Sequence, residues 1–382
     1  MSSYPDIVLV VDDEAATRAG VAVAVGSTGR TVVSCGDIES AQMIVDRVAV
    51  RSVITDIRLT GPFSYDGLHF LDYIARQAPQ SQVVLMTGFA SAELRTEATS
   101  RGAVAVLEKP FTITELDAVL PETERAGLLL RPQPLIIDVP PLNEILDASS
   151  VFSVFQPIIQ VREAGITSFG FEALTRVEST GPFANPEFLF EYADRKQRVG
   201  ELEAMCIANA MREASVLPPD SSIFVNIHPG LLADHGFVSL ILALARRHDL
   251  PLDRLVLEIT EQAAIRSIDD TMHNIDQLAE RGVRFAFDDV GVAYSHLLHL
   301  ERIRPAFMKI SQQFGTDLDL SESKTKIIRN IVSLGRDFGC HVILEGVETE
   351  EAARAAHEAG ITLLQGFLFG KPALAAEWAV DA

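Results

Sequence analysis

The sequence predicts an α/β protein of two units in tandem: an open, doubly wound parallel sheet followed by a (β/α)8 barrel. Three observations predict it. Short apolar runs of strand length recur along the chain, separated by amphipathic stretches of helical length. Most of these runs end in Asp, Glu, Asn, Thr or Lys, and in α/β folds the carboxyl ends of the strands carry the chemistry. Between the two series, Pro132, Pro134, Pro140 and Pro141 crowd one short stretch, a density that stops helices and stiffens a connection. At 382 residues and 48% apolar content, the chain has material for two cores.

In the first unit, residues 7–11 (Ile-Val-Leu-Val-Val) are apolar without interruption, as in a strand buried on both faces of a parallel sheet. The run ends in Asp12-Asp13-Glu14. Val53-Ile54-Thr55 ends in Asp56, Val83-Val84-Leu85-Met86 ends in Thr87, and Val104-Ala105-Val106-Leu107 leads to Lys109. Helical stretches intervene, for example over 40–48 and 93–101. Asp12 and Asp13 would hold a hard cation such as Mg²⁺. Asp56 would serve as a carboxylate nucleophile for a phosphoryl group, with Thr87 and Lys109 on the phosphoryl oxygens. The competing reading is a set of polar strand ends in ordinary turns, but it leaves five reactive side chains in this order unexplained.

These positions resemble the receiver domain of two-component response regulators. The resemblance implies a flavodoxin-like fold of five parallel strands, one bound Mg²⁺, phosphorylation of Asp56, and a sensor histidine kinase or other phosphodonor as partner. Two features depart from the family. Val106 stands where an aromatic residue usually sits, three before Lys109. The loop over 57–66, with Gly61, Pro62 and Phe63, is longer than usual by about three residues. Residues 114–120 read as the last helix of this unit. The expected division is a receiver over 1–123, a Pro-rich linker over 124–141 and a catalytic domain over 142–382. Leu128-Leu129-Leu130 and Leu135-Ile136-Ile137 are too apolar for a free tether and should pack on a domain.

Eight strands are expected in the second unit, over 153–158, 167–174, 223–227, 255–260, 284–288, 306–310, 341–345 and 362–367. Helices such as 201–215, 238–247 and 324–338 carry one apolar face. Phe169-Gly170-Phe171 runs into Glu172, Ile223-Phe224-Val225 into Asn226, and Leu255-Val256-Leu257 into Glu258. Phe285-Ala286-Phe287 runs into Asp288-Asp289, Ala306-Phe307-Met308 into Lys309, and Val342-Ile343-Leu344 into Glu345. Adjacent side chains of a strand point to opposite faces, so Asp288 and Asp289 reach one site only if the chain bends there. Carboxylates gathered at one barrel mouth repel unless a cation lies among them. Oxygen ligands without Cys or His suit Mg²⁺ or Mn²⁺ rather than zinc.

Glu172-Ala173-Leu174 is the tripeptide that names the EAL domain, the cyclic-di-GMP phosphodiesterase family, and the surrounding pieces resemble that family in its order. They are Phe155-Gln156-Pro157-Ile158, Val225-Asn226, Glu258-Ile259-Thr260-Glu261, Asp288-Asp289, Lys309-Ile310, Glu345-Gly346-Val347-Glu348 and Gln365-Gly366-Phe367. The resemblance runs from about Pro141 to the end of the chain. It implies a TIM-type barrel whose first strand is antiparallel to the rest, and hydrolysis of cyclic-di-GMP to linear pGpG with two Mg²⁺ or Mn²⁺ ions. Glu172, Asn226, Glu258 and Asp288 would ligate one ion, and Asp288 with Asp289 the second. Lys309 would orient or assist the attacking water. Glu345 would be a general base or a ligand through water. Glu261 would tie down the loop after Asp289. Gln156, Leu174, Arg176 and Gln365 would contact the dinucleotide, and a homodimer or higher homo-oligomer is expected. Two departures stand out. The family's Asp-Phe-Gly-Thr-Gly-Tyr-Ser-Ser loop is Asp289-Val290-Gly291-Val292-Ala293-Tyr294-Ser295-His296 here, and the usual Lys-Ile-Asp is Lys309-Ile310-Ser311.

A net charge of −21, from 32 basic and 53 acidic residues, argues against gripping a long phosphate backbone, so no DNA partner is expected. Cys35, Cys206 and Cys340 are scattered and form no Cys-x-x-Cys, which fits a reducing cytoplasm. No apolar run reaches membrane-spanning length, so no membrane insertion is expected. The leading expectation is a phosphorylation-controlled, metal-dependent phosphodiesterase. The alternatives are a catalytically weak or inactive cyclic-di-GMP sensor and an adaptor driven by the receiver.

Overall fold

The computed structural model describes residues 7–59, 65–121, 135–147, 150–162, 165–178, 185–260, 268–291 and 297–379. The chain forms two compact units. One holds Met1–Ser150 and Val177–Val199; the other holds Val151–Arg176 and Gly200–Ala382. Among the described residues, no helix is long and apolar enough to cross a membrane.

In the first unit, β1 (Ile7–Val11), β3 (Ser52–Asp56), β4 (Gln82–Thr87) and β5 (Ala103–Glu108) fall on the four apolar runs, and β2 (Thr31–Cys35), on no run singled out in the sequence, completes the five strands the resemblance implies. A sixth, β6 (Ile136–Val139), joins them in the order β5-β4-β3-β1-β2-β6, all parallel. Val8 and Val10, Ile54, Val84 and Met86 pack under Val21, Val25, Leu116 and Leu120. Helix starts are set by side-chain caps: Asp37 accepts from the Ser40 amide, Ser91 from Leu94, and Thr112 forms a reciprocal box with Glu115. Strand order reverses between β3 and β1, so Asp12 and Asp56 end side by side at the switch point.

β6 comes from the Pro-rich stretch. It closes the open edge of β2, and its one acid is held by specific bonds. Asp138 accepts from Arg18 Nε at 3.0 Å and from the Ser34 hydroxyl at 2.5 Å. The same Arg18 donates through Nη1 to the Asp12 carbonyl at 2.9 Å. Helix Pro186–Arg195 also belongs to this unit. Its Tyr192 hydroxyl donates to Asp37 at 2.6 Å, Arg195 pairs with Asp46 at 2.7 Å, and Lys196 just beyond pairs with Glu39 at 2.7 Å.

The second unit is a closed barrel of β7 (Val151–Arg162), β8 (Gly165–Val177), β9 (Ser222–Ile227), β10 (Leu255–Thr260), β11 (Arg284–Val290), β12 (Phe307–Ile310), β13 (His341–Leu344) and β14 (Leu363–Gln365). From β8 to β14 neighbours are parallel, and β7 runs antiparallel to β14. Outward residues such as Leu257, Ile259, Phe285 and Phe287 pack under the surrounding helices. Inside, Ile158, Phe224, Val256, Ala286, Phe307, Ile343 and Leu363 form a separate plug. Phe224 and Phe307 meet edge to face at 5.2 Å, so the interior is packed rather than open.

One buried acid takes no part in the barrel mouth. Glu203, on helix Val199–Glu213, is 5% exposed; it accepts the His228 amide at 2.7 Å, while its second oxygen has no hydrogen bond among the described residues. Burial pushes its pKa up to about 7, opposed only in part by the His228 amide. The folded state therefore holds this proton more tightly than the unfolded chain. Stability falls as pH rises from the ordinary carboxylate range to about 7, and the loss is complete above that. Glu203→Gln keeps the acceptor and removes the ionisation. Urea titrations from pH 4.5 to 8 should show the variant more stable than wild type at pH 8, with the difference fading toward pH 4.5. A constant difference across that range would mean Glu203 is not the titrating group.

Candidate active site

The plug sets the site by simple alternation. On each parallel strand the residue two beyond a plug residue points the same way, one layer nearer the carboxyl end. Phe224 leads to Asn226, Val256 to Glu258, Ala286 to Asp288, Phe307 to Lys309, Ile343 to Glu345 and Leu363 to Gln365. On antiparallel β7 the count reverses, and Ile158 leads back to Gln156. Glu172 stands two beyond Gly170. A Cβ at Gly170 would lie 2.5 Å from the Ser222 carbonyl oxygen, so only glycine lets β8 approach β9 this closely below Glu172.

These side chains converge on Lys309, whose side chain is 0% exposed. Its Nζ lies 2.7 Å from Glu345, 2.9 Å from Glu258, 3.2 Å from Glu172 and 3.5 Å from Asp288. Gln365 Nε2 donates to Glu172 at 2.6 Å and to Gln156 at 3.1 Å, and Asn226 Nδ2 donates to Glu172 at 3.2 Å. The bend required at the paired aspartates is present. Strand register shifts between Phe287 and Val290, and Asp289 has φ +57°. That backbone costs a non-glycine residue of order 1–3 kcal/mol, and strain of this kind concentrates at functional sites. Asp288 faces the cluster, and Asp289 is exposed beside it.

The electrostatics follow from one ammonium among four carboxylates. Burial would lower the Lys309 pKa, but the four acids outweigh it and hold it well above its usual value. Burial also raises Glu172, yet Lys309 and the hydrogen bonds from Gln365 and Asn226 prevail and keep it below the usual range. At Glu258 burial prevails, and its pKa stands well above that of a free carboxyl. Asp288 is raised for the same reason, and Glu345 is pushed up to about 7. Apart from the Lys309 ammonium, no donor meets either Glu258 oxygen or Asp288 Oδ1 among the described residues. Four buried carboxylates that share a single ammonium carry more negative charge than it offsets, which fits a hard divalent cation. Among the described residues, no three acids close a cage of their own; they meet at Lys309. Glu172, Asn226, Glu258, Asp288 and Asp289 are the oxygen donors that would hold such an ion.

The sequence profile of the EAL domain matches residues 142–372. The chain belongs to the EAL family. A probable cyclic di-GMP phosphodiesterase of Escherichia coli, PdeI, is 30% identical over 244 residues, covering 62% of this chain and 31% of that protein. The structure of the Pseudomonas aeruginosa MucR phosphodiesterase in complex with c-di-GMP is 29% identical, with TM-score 0.57, covering 62% of this chain and 97% of that one. A manganese and cyclic-di-GMP complex of Klebsiella pneumoniae BlrP1 is 28% identical, with TM-score 0.54, covering 60% and 58%. This chain spans 22% to 38% of the length of the curated relatives it matches.

Two other expected residues of this EAL barrel lie beyond Glu172 on the same strand. Leu174 and Arg176 lie farther along β8, half-buried, and Arg176 donates to the Thr175 carbonyl at 2.8 Å. Glu261 and residues 292–296 lie outside the described residues. Ser311, in place of the usual acid, is buried and precedes helix Gln312–Gly315.

The profile of the response regulator receiver domain matches residues 8–120 of the EAL protein. In its pocket Lys109 Nζ bonds Asp12 at 2.6 Å and also pairs with Asp56. Asp12 is fully buried, and burial pushes its pKa up against the pull of Lys109. Asp13 is exposed at the rim, and the Thr87 hydroxyl accepts the Phe89 amide at 3.3 Å. Gly67 was not singled out in the sequence, yet a Cβ there would lie 2.3 Å from the Asp56 carbonyl oxygen. Helix Asp66–Gln77 thus sits directly on the end of β3.

Proposed function

We propose that this EAL protein hydrolyses cyclic-di-GMP to linear pGpG with Mg²⁺ or Mn²⁺, under control of phosphorylation at Asp56. The observation that carries the reading is the convergence of Glu172, Glu258, Asp288 and Glu345 on the buried Lys309, beside Asn226 and Asp289. A bound pair of divalent ions supplies charge neutralisation at phosphorus and a more acidic water. The chain's own residues do the rest. Lys309 holds the attacking water in line. Glu345, whose proton affinity lies near neutrality, would accept the water proton as the water oxygen bonds to phosphorus; the ribose oxygen then leaves, takes a proton from solvent, and the ring opens. Gln156 and Gln365 present amides to the dinucleotide at the barrel mouth, with Leu174 and Arg176 farther out, where a guanidinium suits a phosphate. The test incubates the chain with cyclic-di-GMP and Mn²⁺ and follows both binding and pGpG. Binding without pGpG would replace the enzyme by a sensor, and neither would leave an adaptor.

The receiver pocket supports a phosphoryl switch fed by a histidine kinase or a small phosphodonor, with one Mg²⁺ at Asp12 and Asp13. Acetyl phosphate with Mg²⁺ should label the wild-type chain at one site, read by intact mass, and Asp56→Asn should abolish the label. Label retained by the variant would place the acceptor elsewhere. A cytoplasmic homodimer without a DNA partner completes the reading, in line with the acidic charge and the scattered cysteines.

A further inference from the structure

Helix Gln312–Gly315 leaves β12 just after Lys309-Ile310 and touches the backbone on both sides of the barrel-mouth cluster. On one side it meets the turn that bears Glu345. A Cβ at Gly315 would lie 1.9 Å from the Glu345 carbonyl oxygen and 2.9 Å from the Gly346 carbonyl carbon. Gly346, at φ +70°, is equally close to Gln312: a Cβ there would meet Gln312 Cβ and its carbonyl oxygen at 2.8 Å. The Glu345 amide also donates to the Ile310 carbonyl at 3.1 Å. The helix and the Glu345 turn are therefore in backbone contact, with no room for a side chain between them.

On the other side lies the strand end that bears the paired aspartates. The Phe314 ring lies against one side of Gly291, two residues beyond Asp289. A Cβ at Gly291 would lie 2.9 Å from Phe314 Cε2, and its φ of +106° is one that glycine alone adopts easily. Val290 pairs with Ile310 next to the bulge. One helix of four residues thus spans from the positive-φ Asp289 segment to Glu345, and it starts three residues beyond Lys309.

We infer that helix Gln312–Gly315 is a strut that fixes Glu345 relative to Asp288 and Asp289, with Phe314 and Gly315 as positioning residues. The inference rests on the proposed metal-dependent reaction. Neither side chain is within the cluster, so neither is a catalytic residue. Phe314 holds the aspartate end, and Gly315 holds the Glu345 end. The two ends have different signatures: loosening the first weakens the cation, and displacing the second slows proton transfer.

The experiment uses the full chain and three variants, Phe314→Ala, Phe314→Leu and Gly315→Ala. Mn²⁺ affinity is read from the electron paramagnetic resonance signal of the free ion, and turnover separately with cyclic-di-GMP. Phe314→Ala should weaken Mn²⁺ by about 10-fold or more, the usual scale for groups that orient metal ligands, and Phe314→Leu by a smaller but still severalfold factor. Gly315→Ala should lower kcat by about 100-fold, the scale of a one-ångström misplacement, with Mn²⁺ affinity and KM close to wild type. Thermal unfolding separates these effects from a loss of fold. If Phe314→Ala unfolds, Phe314→Leu decides alone: a severalfold loss of Mn²⁺ affinity supports the strut, and wild-type affinity overturns it. Wild-type Mn²⁺ affinity in folded Phe314→Ala likewise overturns it. Should the wild-type chain bind Mn²⁺ without hydrolysing cyclic-di-GMP, the catalytic reading falls while the Phe314 comparison still tests the strut.

Discussion

Glu258→Ala should abolish hydrolysis of cyclic-di-GMP, and Glu172→Ala and Asp288→Ala should do the same. Glu258 is the sharpest of the three. It is fully buried among other acids, and Lys309 at 2.9 Å is the only donor that meets its oxygens among the described residues. A carboxylate in that position is costly unless it binds a cation. Losing a ligand that sustains several kcal/mol of charge stabilisation at phosphorus lowers the rate by on the order of 10³-fold or more. Glu172→Ala also strands the amides of Gln365 and Asn226, so it should disturb nucleotide binding as well as the cation. EDTA should match the effect of all three variants, and Mn²⁺ should restore wild type alone. Turnover by Glu258→Ala within tenfold of wild type, or by wild type freed of metal, would sink the metal-dependent reading.

The fold was legible because its strands are apolar runs of the right length, and the site because each run stops at a polar residue. Alternation did the rest: once Phe224, Val256 and Phe307 point inward, Asn226, Glu258 and Lys309 must follow. Even the bend at Asp288-Asp289 could be anticipated from two acids in adjacent positions, and Asp289 at φ +57° supplies it. Less visible were contacts between residues far apart in sequence. Ile136–Val139 reads as part of a Pro-rich stretch, and only the exposed edge of β2, with Arg18 and Ser34 beside it, makes it a strand. Nothing in Pro186–Arg195 marks it as a partner of helix Ile38–Arg47, because opposite charges about 150 residues apart look like two solvated faces. Gly170 and Gly315 look like loose points in the sequence; in the structure each permits a close backbone approach, which a residue string does not encode. Lys309 was legible as a site residue, but its place at the centre of four carboxylates emerges only when the strands close into a barrel.

Lys309→Met should be the single change that costs the most stability, and it should lower turnover as well. The methionine side chain fills nearly the same space and removes the charge. In wild type the ammonium neutralises part of the charge of Glu172, Glu258, Asp288 and Glu345 in a fully buried position. Without it, four carboxylates share the barrel mouth, and breaking a buried ion pair on one side typically costs about 3–5 kcal/mol. A protein with ordinary stability loses a third or more of it on that scale. The deficit should depend on the cation, because an ion that binds the folded state alone stabilises by mass action and fills the same electrostatic role. In EDTA the variant should unfold well below wild type, and saturating Mn²⁺ should raise its midpoint by more than it raises wild type. Turnover should remain about 10²–10⁴-fold down even with Mn²⁺ saturating, because charge balance is restored but the donor that orients water is not. Guanidinium titrations of both proteins with EDTA or Mn²⁺ give four midpoints. Equal Mn²⁺ shifts for the two proteins would mean that Lys309 and the cation answer to different acids, and the electrostatic account of the site would be wrong.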